Sequence, residues 1–183
     1  MLRNRYRRIA DSISRHARAN SLKMRSGEHV ELTAHQIEML DGAAMFIGTV
    51  DRAGRPDVVR CFGAKVCDDR KTLRLLLPRP WADSVVANLR DGGWVAFSFT
   101  NPTSYESFQA KGKLLRIEPA TDDDRTIAAL HQRRFAENVI SIGVHESARH
   151  YAHRAEIAIA FRIDELYCQT PGPGAGEPVG GTR

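Results

Sequence analysis

Cysteine is scarce in this chain. Cys61, Cys67 and Cys168 are the three in 183 residues, and no pair has C-x-x-C spacing. That spacing excludes a disulfide framework and a structural zinc site. The three thiols read as small buried apolar residues. Long apolar runs are missing too. No stretch approaches the ~20 residues needed to cross a bilayer, and no secretory apolar segment follows the N-terminus. A cytoplasmic protein with no membrane partner is the expectation. No phosphate-binding P-loop, no G-x-G-x-x-G and no G-x-S-x-G occurs, which removes the common nucleotide and hydrolase motifs. His150 and His153 are spaced to share a helix face. Without cysteines or an H-E-x-x-H beside them, a metal site is not expected. No side chain stands out as a general acid or base.

What is present suits one compact domain. Apolar residues make up 42% of the chain, enough for a core at this length. The net charge of +5 is unevenly placed. Residues 1–25 carry Arg3, Arg5, Arg7, Arg8, Arg15, Arg18, Lys23 and Arg25 against Asp11 alone. Such a lead could touch an anionic surface, but Tyr6 is its one aromatic, which argues against specific nucleic-acid recognition. The organisation read from this is a basic extension over 1–30, a folded domain over 31–170, and a Pro/Gly-rich tail over 171–183 expected to be flexible.

Within the domain, Leu32-Thr33-Ala34-His35-Gln36-Ile37 has the spacing of a capping box with a hydrophobic staple, predicting a helix over 34–41. Strands are predicted over Met45–Val50 and Asp57–Val66, joined at Gly54 and Pro56. A third follows over Thr72–Leu77, whose Leu75, Leu76 and Leu77 suggest burial on both faces. Trp81–Arg90 has helical spacing, with Trp81, Val85, Val86 and Leu89 on one side. Trp94–Thr100 and Ser107–Glu118 read as strands, the second with Gly112 at a bulge or close approach. Thr121 and three acids open a helix over 122–137. Ala155–Ile163 is the sixth strand. The fold class is α+β, a mainly antiparallel six-stranded barrel with flanking helices, closed so that no sheet edge stays exposed.

Cations inside strands are the most informative chemistry. Arg60, Lys65, Lys111 and Lys113 interrupt β-runs, and Gln109 joins them. Facing a rim or groove, they would suit an anionic ligand such as a phosphate. Arg60 and Lys65 are five apart, so a regular strand would point them opposite ways. A bulge at Gly63 would bring them to one face.

Thr49-Val50-Asp51-Arg52-Ala53-Gly54-Arg55-Pro56 and the strand after it resemble the first hairpin of the pyridoxamine 5′-phosphate oxidase-like family of FMN-binding split barrels. Ala87-Asn88-Leu89-Arg90, the strand Trp94–Phe99 and Phe108-Gln109-Ala110-Lys111-Gly112 follow in the family's order, over roughly 32–170. The resemblance implies a six-stranded split barrel and a homodimer with FMN in grooves at the interface. It implies a flavin-dependent oxidoreductase acting on a small molecule. Arg60 and Lys65 match the cations that reach the flavin and its phosphate. Leu77 and Pro78 stand where the strand edge passes the ring. Ser84 is the one hydroxyl where the family places a Ser-Arg-Lys-like group. Gln109 and Lys111 stand on the strand that lends a glutamine. Trp81-Ala82-Asp83-Ser84-Val85 lacks that group's cations, and the C-terminal Trp and Arg of the true oxidases have no match. Pyridoxamine phosphate oxidation itself is therefore not implied. The alternative is a non-catalytic flavin or haem binder, or a stress-related protein, on the same fold. Relatives that take haem, a deazaflavin or no cofactor fit that reading.

Overall fold

The computed structural model describes residues 30–179. The basic lead and the last residues of the tail lie outside them. The chain runs α1 (Ala34–Met39), β1 (Ala44–Val50), β2 (Pro56–Arg60), β3 (Ala64–Val66), β4 (Thr72–Leu77), α2 (Arg79–Gly92), β5 (Trp94–Thr100), β6 (Ser107–Pro119), α3 (Asp122–Ser141), a 3₁₀ turn (Glu146–His150) and β7 (Ile157–Cys168). All seven strands form one antiparallel sheet, in the order β2-β1-β5-β6-β7-β4-β3.

The strand count is a correction. Asp57–Val66 is not one strand but two, β2 and β3, at opposite ends of the sheet order. Cys61, Phe62 and Gly63 separate them. Cys61 N–H still donates to Met45 of β1 (3.0 Å), but Phe62 N–H donates to Leu76 of β4 (2.9 Å), and Gly63 accepts from Leu76 N–H (2.9 Å). Seven strands laid flat would span about 29 Å. Four residue steps reach at most about 14 Å, so the sheet must curl until its two edges meet. The break is therefore what closes the α+β split barrel. The sequence conceals it because both halves are β-rich and each satisfies its ladder with a different partner.

The barrel interior takes the alternate residues expected. Met45, Ile47, Leu73, Leu75, Leu77, Phe97, Phe99 and Phe161 are fully buried, and the Phe97 ring lies 5.6 Å from Phe99 and 6.3 Å from Phe161. β4 is buried on both faces, as its leucine run predicted. Leu76 points outward into a second cluster with Ala128, Ala155 and Ala158, beneath α3. Small residues there let the helix approach. A Cβ on Gly63 would stand 3.1 Å from Ala128 Cα.

Both predicted caps are present. Thr33 and Gln36 exchange side-chain bonds with each other's N–H at the start of α1, and Thr121 and Asp124 do so at α3. β6 shifts register between Lys111 and Gly112. The extra residue is Asp164 on β7, and Gly112 faces the Arg162 carbonyl there so closely that any Cβ would collide with it. The last strand begins at Ile157, not Ala155, and continues to Cys168. The described tail folds back onto it: Gly176 N–H donates to Cys168 (2.7 Å) and Val179 N–H to Leu166 (2.8 Å).

Candidate functional site

The irregular residues 61–63 leave Arg60 and Lys65 on the same side of the chain, both toward α3. They do not meet. Arg60 lies over the ring of Phe135 at 4.2 Å, and Lys65 reaches Asp123 at 3.7 Å. Those two α3 positions are twelve residues apart, or about 18 Å along the axis. One phosphate cannot touch both cations; an extended ligand could.

Arg60 occupies the more distinctive place. Its guanidinium is half-buried, 5.4 Å from the Phe62 ring and 5.3 Å from the Tyr151 ring. Burial presses its pKa down, and interaction with Tyr151 opposes that. Arginine keeps its charge regardless, and among the described residues no carboxylate pairs with it. Around it is an aromatic seam. Phe62 lies 5.4 Å from Trp81 and 4.7 Å from His153, and His153 lies 4.4 Å from Trp81 and 4.9 Å from Tyr151. Trp81 was expected to pack with Val85, Val86 and Leu89. Those three are buried, but Trp81 turns to the seam and stays 37% exposed. No local pattern marks the seam, because its members come from four separate segments.

Gln109 and Lys111 lie on the barrel's outer face. Register places Arg60, Phe46, Ser98, Gln109 and Tyr167 in one row across five strands, with Val58, Gly48, Ala96, Lys111 and Glu165 in the next. Arg60 and Gln109 are thus three strand spacings apart, about 14 Å. Gln109 donates to Ser98 Oγ (3.1 Å), and Lys111 lies over the Tyr167 ring at 4.7 Å. This face is small at its centre, with Gly48, Ala96 and Ser98, and apolar around it. Phe46, Val50, Val58 and Trp94 are all exposed there.

Leu77, Pro78 and Ser84 belong to the start of α2. Leu77 is fully buried and its carbonyl accepts from Glu156 N–H. Pro78 is the N-cap, and Ser84 is exposed beside Asp83. A helix start can cradle a phosphate through free N–H groups, but this one does not fit. Pro80 has no N–H, and the N–H of Arg79 already donates to Glu156 Oε2 at 3.0 Å. A carboxylate thus occupies the position that a cofactor phosphate would need. The ring-binding features fit a planar anionic group, and the α2 terminus does not.

Other candidates separate. His150 ends the 3₁₀ turn and His153 lies beyond it, so they share no helix face. Cys61 is buried, and burial pushes its thiol pKa well up. Cys67 and Cys168 are part-exposed, not buried as expected.

No family model and no curated protein matches the sequence. Solved structures do match. HupZ of Group A Streptococcus is 14% identical with a TM-score of 0.51, over 79% of this chain and 99% of that one. An FMN-binding protein of Syntrophomonas wolfei is 16% identical with a TM-score of 0.45, over 80% and 89%. A pyridoxamine 5′-phosphate oxidase-related, FMN binding protein of Nostoc punctiforme is 12% identical with a TM-score of 0.42, over 79% and 90%. The likeness to HupZ shows a shared fold and nothing beyond it.

Proposed function

We propose that this split barrel belongs with the pyridoxamine 5′-phosphate oxidase-like proteins and works as a flavin-type redox protein on a small molecule, with the planar cofactor held at the Arg60 seam. Arg60 carries the reading: a half-buried cation with no carboxylate partner among the described residues, framed by Phe62, Phe135 and Tyr151. A buried charge left unneutralised is costly, so an anion is its natural complement. Gln109 lies about 14 Å from Arg60 across the outer face, so within one chain a single anionic group could not touch both. A second copy packed on Phe46, Val58 and Trp94 would bring a second set to each seam. FMN, when bound, would supply the redox chemistry, while this chain's residues would orient and enclose it.

The α2 start favours the second reading, a weaker or non-catalytic binder of flavin or haem. Its phosphate cradle is closed by Glu156 and Pro80. Titrating the purified protein with FMN, followed by flavin fluorescence, tests the first reading. Saturable quenching is expected, weakened at least about tenfold in Arg60→Met, since truncating one partner of a desolvated charge pair is costly. Absence of quenching by the wild type refutes flavin binding. A Soret band on haem addition would then carry the second reading.

A further inference from the structure

A cavity of about 610 Å³ lies beside α3, between that helix and residues 149–155. None of the seven residues expected to bind a cofactor lines it. Its size is that of a site for a small organic molecule.

The walls are fixed. Gln132, on α3, donates to the carbonyls of Ala128 (3.0 Å) and His153 (2.9 Å) and accepts from His153 N–H (2.5 Å). That clamp holds the 151–155 segment against the helix. Tyr151 and His153 are held from behind by Phe62, at 6.0 and 4.7 Å. The floor is apolar and shallow because Ala129 and Ala136 stand one above the other on α3, with Ala152 and Ala155 opposite.

The charge has one sign. Arg125, Arg133, Arg149 and Arg154 all line the space, and no acid does. Asp122 pairs with Arg125 at 2.5 Å and Glu137 with Arg133 at 3.1 Å. Asp122 also feels the Arg154 charge. Arg149 and Arg154 make no ion pair among the described residues. Four cations against two carboxylates leave two positive charges over an alanine floor. Guanidinium forks match phosphate and carboxylate geometry.

We infer that this cavity is a second binding site, for a small organic anion whose apolar body rests on the alanines of α3 and whose phosphate or carboxylate groups are met by Arg149 and Arg154. The site does not depend on the flavin reading. It touches the seam through Tyr151 and His153, whose other faces pack on Phe62.

The test is calorimetric titration of the flavin-free full chain with phenyl phosphate and, separately, phthalate. Phenol supplies the body without charge, and inorganic phosphate the charge without a body. At least one of the two organic anions is expected to bind saturably, at least about tenfold tighter than phenol and than inorganic phosphate. Which of the two binds separates phosphate from carboxylate recognition. The double variant Arg149→Ala/Arg154→Ala removes two exposed side chains with no ion-pair partner, so its melting temperature should stay at the wild-type value while binding falls at least about tenfold. The inference is overturned by no saturable binding of either anion, by phenol or inorganic phosphate binding as tightly, or by full binding in the double variant.

Discussion

Acid should loosen α3 in two steps, each set by one buried group. His131 is 6% exposed on the helix face toward the barrel. Its Nδ1 accepts from Gly42 N–H at 3.3 Å, so the ring is neutral with its proton on Nε2. Burial pulls its pKa down to about 4 from 6.5; the Arg60 charge adds to this, and hydrogen bonds at Leu40 and Ala43 oppose it. Below 6.5 the unfolded chain takes a proton that the folded chain refuses, so stability falls with pH and the loss is complete near 4. The gap corresponds to about 3 kcal/mol, a large share of the roughly 5–15 kcal/mol of a typical domain. Asp124 acts in a lower window. The Arg74 guanidinium holds its carboxyl down to about 2 from 3.8. That stability, about 2 kcal/mol, is present above 3.8 and lost as pH falls through 2. His131→Asn keeps an acceptor near Gly42 N–H but cannot titrate. Urea unfolding at successive pH values, followed by Trp81 and Trp94 fluorescence, should show the wild type weakening between pH 6.5 and 4 and the variant nearly flat there. An equal slope in both would refute the assignment.

Three further outcomes check other joints. Gly112→Ala should cost about 3 kcal/mol or more, or prevent folding, because its Cβ collides with the Arg162 backbone and not with a movable side chain; a thermal melt within a few degrees of wild type would contradict that close approach. Thr121→Ala removes the hydroxyl that caps Asp124 N–H and should lower unfolding free energy by about 1 kcal/mol, read by chemical denaturation. Phe46→Lys with Val58→Lys places charge on the exposed sheet face; sedimentation should show a dimer for wild type and a monomer for the variant, and a wild-type monomer would remove the second-copy proposal.

The helix caps and the barrel interior were legible because their signals are local. Thr33 with Gln36, and Val95, Phe97 and Phe99 in alternation, need only neighbours a few residues away. Gly112 was legible for a related reason: glycine inside a strand pattern implies a missing Cβ, and the Arg162 carbonyl explains why. The switch at 61–63 was not legible. Alternation reports which face is buried, not which strand supplies the partner, and here the partner changes from β1 to β4 midway. Gly63 was the right place for an irregularity, but the spacing of Arg60 and Lys65 could not reveal that α3 separates their ends by about 18 Å. The α2 terminus hid its chemistry elsewhere. Pro80 was visible in the sequence, yet Glu156, which occupies the free N–H, arrives from 77 residues away. The Arg149/Arg154 cavity depends likewise on Gln132 clamping a segment about twenty residues later.

Two strand arginines face α3, and the difference between them divides the helix by role. Arg74 donates to Glu118 Oε2 at 2.6 Å and to Asp124 Oδ2 at 2.8 Å, and Asp124 also accepts from Thr121 N–H. Arg74 and Asp124 are satisfied inside the chain, so removing either one strands a buried ion, and the N-terminal end is fixed to β4. Arg60, near the other end, has aromatic rings and, among the described residues, no acid. It also depresses the pKa of His131 from a distance. An anion bound at Arg60 would cancel part of that effect, so His131 in the bound protein should titrate nearer its ordinary value. Linkage then requires the converse, with tighter anion binding as pH falls through the His131 range. Burial is the larger cause, so the change must be partial. Measured as FMN affinity against pH, it should rise on acidification in the wild type and stay level in His131→Asn. A level profile in both would mean that the anion does not approach Arg60 closely enough for His131 to sense it.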